Sequence, residues 1–176
     1  RHERRGDAFH DQGMLQGGKD MIEVKTCSKA FGSVRAVNNV TLDVGDREVF
    51  GLVGSNGAGK STLLRMMSGI VWPDKGEILI DKMPVYENEE AKKQFFYISD
   101  DSYIPANYTA IDMVRFYRSF YPEFRIQMFH DLMEQFHLES KRRISTFSKG
   151  MKKQVSVLLG ICTNTEYLLC DETFDG

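Results

Sequence analysis

Residues 54–62 read GSNGAGKST. Gly54, Gly59, Lys60 and Ser61 hold the fixed positions of G-x-x-x-x-G-K-[ST], a spacing suited to gripping a chain of phosphates. Glycines let the backbone turn tightly, so the N–H groups of Gly54, Ser55, Asn56, Gly57, Ala58 and Gly59 can converge on phosphate oxygens. Lys60 can reach the β- and γ-phosphates, the Ser61 hydroxyl can ligate Mg²⁺, and Thr62 can add a hydroxyl to the cradle. The competing reading is a chance glycine-rich turn.

A second chemical pair lies far downstream. Tyr167-Leu168-Leu169-Cys170 reads as an apolar strand that ends in Asp171-Glu172. A carboxylate at the tip of a neighbouring strand holds Mg²⁺ in phosphate-loop enzymes, usually through water, and Asp171 suits that role. Glu172 is placed to orient and deprotonate an attacking water, which makes Glu172 and Lys60 the catalytic candidates. By itself the pair also fits a solvated acidic turn; the phosphate loop upstream favours the catalytic reading. Ser148 and Gly150, in Phe147-Ser148-Lys149-Gly150-Met151, open a predicted helix from Lys152 to about Thr163. A Ser-x-Gly turn there seeks phosphate, or simply caps the helix.

These groups need a scaffold. Glu48–Val53 is apolar and partly β-branched and is predicted to be a buried strand leading into the loop. Lys60 through Met67 carries good helix formers and no breaker. Segments 21–27 and 40–44 read as strands, so with 48–53 they predict an antiparallel β portion, with a turn at Gly45-Asp46. A turn at Pro73–Gly76, a strand at Glu77–Ile80 and another at Phe95–Ser99 follow. Ile111, Val114, Phe116, Tyr117 and Phe120 then mark one helix, broken at Pro122. Phe129, Leu132, Met133 and Phe136 mark a second. This aromatic stripe reads as a packing face rather than a cofactor box. The fold class expected is α/β, a core sheet with a helical insert at about 103–148.

Composition narrows the partners. The 176 residues carry 23 basic and 25 acidic side chains, a net charge of −2, so nothing electrostatic points to nucleic acid. The three cysteines, Cys27, Cys162 and Cys170, lack metal-ligand spacing; two sit in apolar runs and read as buried, reduced thiols, which fits a cytosolic setting. No apolar run approaches the ~18 residues of a membrane span, so membrane association is expected through a partner. Residues 1–20 are polar, glycine-containing and aperiodic, which predicts a disordered extension before a domain starting near Met21.

GSNGAGKST, FSKGM and LLCDE occur in that order, with the helical stretch between the first and second. Over residues 21–176 the chain resembles the nucleotide-binding subunit of an ATP-binding cassette (ABC) transporter. FSKGM is similar to the family signature LSGGQ, and closer to the YSKGM form of many bacterial exporter ATPases. The resemblance implies ATP and Mg²⁺ as ligands and Phe31 as the aromatic residue stacked on adenine, against an ordinary strand-end aromatic. It implies that Ser148 and Gly150 contact the γ-phosphate held by a second subunit. Two ATP molecules would lie in a head-to-tail dimer, homo- or heteromeric. The dimer would drive a membrane permease from the inner face of the cell membrane, docked on the aromatic-rich insert.

Three features depart from the family pattern. Asp100 stands where the family carries a glutamine that touches Mg²⁺; it could bind metal through water or be a solvated loop acid. Thr173 replaces a common proline. The family sequence also continues beyond a stretch like Phe174-Asp175-Gly176 to a leucine–aspartate pair, a switch histidine and a central strand. None of His2, His10, His130 or His137 can replace that histidine. On this reading the chain is a subunit truncated after the Asp171-Glu172 strand, expected to be poorly stable or inactive alone. Two rivals stay open: a soluble ABC ATPase acting on ribosomes or DNA, and a non-hydrolysing regulatory module, which Glu172 disfavours. No guanine-reading N-K-x-D-like segment supports a GTPase.

Overall fold

The computed structural model describes residues 21–100 and 104–171. The expected extension at 1–20, the first residue of the insert at 103, and Glu172 with the rest of 172–176 lie outside the described residues.

β1 (Met21–Phe31) and β2 (Val34–Gly45) form a long antiparallel hairpin. Ile22 and Val24 alternate inward, as a half-buried strand requires. Thr26 and Asn39 take positive φ angles of 51° and 52°, and the pairing register shifts between Val24 and Cys27. Such bulges break the two-residue period, which is why 28–39 does not read as strand from sequence. β3 (Lys75–Ile80) pairs antiparallel with β1, and β4 (Met83–Pro84) completes the order β2-β1-β3-β4. α1 (Lys60–Met67) has the predicted bounds. It buries Leu63, Met66 and Met67 in a core shared with Ile22, Val24, Ile78 and Ile80.

α2 (Glu89–Lys93) is short and capped by Asn88, whose side chain accepts from the N–H groups of Glu90 and Ala91. It leads into β5 (Phe95–Ile98), which pairs in parallel with β6 (Tyr167–Cys170). Parallel strands need a crossover, and the helical stretch supplies it. α3 (Ala110–Arg118) starts at a Thr109–Asp112 capping box. α4 (Ile126–Gln135), a 3₁₀ turn at Ile144–Thr146 and α5 (Lys149–Cys162) follow. Phe129, Met133, Ile144, Val155 and Leu159 form its core. Phe116, Phe120 and Phe136, by contrast, stay exposed, so the aromatic stripe is only partly a packing face.

α5 lies flat on the β5–β6 pair. A Cβ on Gly160 would stand 2.7 Å from Leu168 and 3.0 Å from Phe96. The two sheets are tied by Asp81, whose Oδ1 accepts from the Tyr167 hydroxyl at 2.7 Å and the Met21 N–H at 2.9 Å. Cys27 and Cys162 are buried free thiols, and Cys170 is half-buried. No helix among the described residues is long and apolar enough to cross a membrane.

One expected element is corrected. Glu48–Val53 forms no strand. Leu52 is half-buried against the first core, while Val49 and Val53 are 99% and 98% exposed. Among the described residues no strand lies beside this segment, and a strand without a ladder has no partners for its N–H and C=O groups. The described strands form a four-stranded antiparallel sheet and a separate β5–β6 pair, with the phosphate loop entered from an unpaired segment.

Candidate nucleotide site

The loop 54–59 turns into α1 through two glycines of positive φ, Gly57 at 82° and Gly59 at 89°. Gly59 is doubly constrained: it is the left-handed N-cap of α1, and a Cβ there would collide with the Ala36 carbonyl of β2. Only glycine fits, so the hairpin and the loop are locked together at this point. The Ala58 N–H donates to Ser55 O at 3.1 Å, and the Leu63 N–H to Gly59 O at 2.9 Å. The first turn of α1 carries no acidic residue, which leaves its positive end open to an anion. Lys60 arches back over the loop, donating to Gly54 O at 2.7 Å and Ser55 O at 3.0 Å. These two carbonyls fix the ammonium group above the loop amides. Ser55, Asn56 and Ala58 are exposed along the loop rim, and Ser61 and Thr62 are half-buried at the start of α1.

Asp171 reaches the same place from the end of β6. Its Oδ1 accepts from the Ser61 hydroxyl at 2.8 Å, although 110 positions separate them. Its side chain is 2% exposed. The Tyr97 hydroxyl donates to Oδ2 at 3.3 Å, and the Asp171 N–H donates to Ile98 O at 2.9 Å. Burial, then the Asp171 charge, pushes the Tyr97 phenol up, so it remains a donor at neutral pH. Tyr97 is a contact of the candidate site that the sequence alone does not reveal. It depends on the parallel register that sets Tyr97 opposite Leu169, and no local motif marks it.

The other candidates stand at different removes. Asp100 follows β5, and its carboxylate lies 3.6 Å from the Lys153 ammonium of α5. Asp100 and Asp171 line a common cavity of about 350 Å³ together with Lys149, Lys152 and Lys153. Ser148 is the N-cap of α5, its Oγ accepting from the Met151 N–H at 3.2 Å, and both Ser148 and Gly150 are exposed. The capping role is thus present, and the exposed helix start is open to a second molecule. Phe31 ends β1 with its ring 51% exposed and the Lys29 ammonium 5.6 Å from its centroid.

The donor set fits Mg²⁺. Magnesium favours hard oxygens, keeps several waters and takes only one or two protein ligands. A serine hydroxyl and a buried carboxylate in direct contact provide that pair. No group of three or more His, Cys, Asp or Glu side chains among the described residues offers a protein cage for another metal.

Comparison with known proteins places the chain in a family. The sequence profile of the ABC transporter family matches residues 37–175. The chain is 31% identical over 156 residues to the ABC transporter ATP-binding protein YtrB of Bacillus subtilis, covering 89% of this chain and 53% of that protein. It is 33% identical to the lipoprotein-releasing system ATP-binding protein LolD of Leptospira interrogans, over 86% of this chain and 68% of LolD. It is 30% identical to the lipopolysaccharide export system ATP-binding protein LptB of Escherichia coli, over 88% of this chain and 68% of LptB. Among solved structures, an ATP-binding subunit of an ABC transporter superposes with a TM-score of 0.78 at 27% identity, covering 88% of this chain and 67% of that one. The chain thus spans about half the length of YtrB and about two thirds of the others.

Proposed function

Because the chain belongs to the ABC transporter family, we propose that it binds Mg·ATP and belongs to an ATPase that powers a membrane permease. The observation that carries this reading is the 2.8 Å contact between Ser61 and Asp171. It joins the two halves of a metal–nucleotide site from opposite ends of the sequence.

The residues divide the work. The amides of 54–59 and the N-terminal end of α1 bind phosphate oxygens, and Lys60 neutralises their charge. Ser61 and Asp171 hold Mg²⁺, which when bound neutralises charge on the phosphate oxygens. Tyr97 and burial keep the Asp171 carboxylate fixed and dry on its inner side. Glu172 takes the proton of the attacking water, as the acid next along the chain. Asp100 orients water at the cavity rim. Phe31 stacks on the adenine. Ser148 and Gly150 face a nucleotide held by a second subunit, and the exposed Phe116 and Phe120 belong to the face that meets the permease. YtrB, LolD and LptB are named for a transporter, a lipoprotein-releasing system and an export system, which supports a transport-coupled role; a cytoplasmic position beneath a permease goes with that role.

Titrating the chain with ATP, with Mg²⁺ and with a chelator, tests this. The expected result is binding that Mg²⁺ tightens and that loses its Mg²⁺ dependence in Asp171→Asn. Binding indifferent to Mg²⁺ in the parent chain would contradict it. For the hydrolytic step, Glu172→Gln is expected to leave Mg·ATP binding in place and to remove whatever phosphate release an active form of the subunit shows.

A further inference from the structure

The turn after Trp72 reaches back to the tip of the β1–β2 hairpin. The last β1–β3 ladder pair is Ser28 with Lys75, so β1 runs on to Phe31 without β3 beside it. Both ladders of β1 also shift register in this stretch. Asp74 fills the gap. Its N–H donates to Ser28 O at 2.8 Å. Its Oδ2 accepts from the Ala30 N–H at 2.8 Å, and its Oδ1 accepts from the Lys29 ammonium at 2.7 Å. The same ammonium sits 5.6 Å from the centre of the Phe31 ring, within cation–π range. Lys29 is the more enclosed partner, its side chain 16% exposed against 46% for Asp74. The Lys29 bond, followed by the Ala30 N–H, holds the Asp74 carboxyl below the usual carboxylate range, so it is ionised at neutral pH.

The hairpin tip is well placed for a base. Gly59 of the phosphate loop packs on the Ala36 carbonyl, and Phe31 pairs with Val34, two residues back along β2. At about 3.4 Å per residue, Phe31 lies about 7 Å along the strand from that contact. That offset suits a base whose phosphates sit in the loop.

We propose that Asp74 is a positioning residue for the nucleobase: it clamps Lys29 against one face of Phe31 and so presents the other face to the purine of the bound nucleotide. The proposal rests on the nucleotide reading above and adds to it a residue outside the motifs. Asp74 acts only through the base, because its three partners belong to β1 and none belongs to the phosphate loop.

The test compares ATP with inorganic tripolyphosphate, both with Mg²⁺, on the parent chain, Asp74→Ala, Phe31→Ala and the double variant. Phe31→Ala is expected to weaken ATP about tenfold, the scale of one base–aromatic stack, and to leave tripolyphosphate unchanged. Asp74→Ala is expected to weaken ATP about three- to tenfold, again sparing tripolyphosphate, and to add nothing in the Phe31→Ala background. Asp74→Asn, which keeps an acceptor for Ala30 but loses the ion pair, is expected to fall between; it carries the same test if Asp74→Ala fails to fold. Three results would overturn the proposal: ATP affinity unchanged by these Asp74 variants, equal losses for both ligands, or full additivity with Phe31→Ala. A parent chain that binds ATP no better than tripolyphosphate overturns it too, while leaving the phosphate site standing. A folded parent chain that binds neither ligand overturns the nucleotide reading itself.

Discussion

Two mainly apolar runs, both read as strands from their residues, end in opposite states. Tyr167–Cys170 is a strand, paired along its whole length with Phe95–Ile98 and covered by α5. Glu48–Val53 is longer and, with Val49 and Val53, richer in β-branched residues, yet it is unpaired and leaves those two valines in solvent. The difference lies in the neighbours. A strand is stabilised by its ladder and by cross-strand contacts, and β propensity alone only describes a side chain that fits a half-buried pleat. The two runs also end at the two halves of the site. Asp171 sits on a braced strand, whereas the phosphate loop relies on α1 and on the Gly59–Ala36 contact for its position.

The widest expected contrast comes from matched truncations. Leu169→Ala, at a buried position of β6, is expected to destabilise the chain by about 2–5 kcal/mol in urea unfolding, through lost burial and a cavity. Val49→Ala should change stability by no more than about 0.5 kcal/mol, as at other exposed sites. Equal losses would mean that the two segments are packed alike. Gly160→Ala sharpens the contrast from the helix side. Its Cβ would press on Leu168 and Phe96, so a loss of about 1–3 kcal/mol is expected, read as a lower melting temperature. Ser148→Ala, at the other end of α5, removes the bond to Met151 and should lower stability by about 1 kcal/mol.

A further contrast is a pH dependence. Burial pushes the Cys162 thiol up to about 11 from an ordinary value of 9.0. The unfolded chain therefore gives up this proton first as pH rises. The contribution of the neutral thiol is complete below about 9 and is lost as pH climbs towards 11. Cys162→Ala should flatten the alkaline fall in unfolding midpoint relative to the parent chain. An identical slope in both would remove Cys162 from the buried layer over β6.

What could be read from the residues follows the same division. α1 was legible to its last residue, because Gly59 starts it and nothing interrupts Lys60–Met67. β1 and β2 were half legible, because positive φ at Thr26 and Asn39 scrambles the alternation. α2 went unread although its signals are present: Asn88 as cap, acids in the first turn and lysines in the last. In the candidate site, Ser61 and Asp171 stand out in the sequence because a loop-end hydroxyl and a strand-end carboxylate are the groups expected of a Mg·phosphate site, and the structure brings the two into contact. Tyr97, Asp74 and the Asp100–Lys153 pair were not, since each depends on which elements lie side by side. The false strand at 48–53 has the same cause: its residues are suitable, and pairing is decided elsewhere.

Lys60 is where the loop's chemistry can be isolated from its fold. Its ammonium contacts only the loop carbonyls of Gly54 and Ser55 among the bonds described, so Lys60→Ala should leave the thermal transition close to that of the parent chain. Isothermal titration of both proteins with Mg·ATP should then show binding to the parent weakened roughly tenfold to a hundredfold by the substitution, the range for a charge-assisted hydrogen bond. Equal Mg·ATP affinity in the two folded proteins would contradict the assignment of residues 54–62 as the phosphate grip.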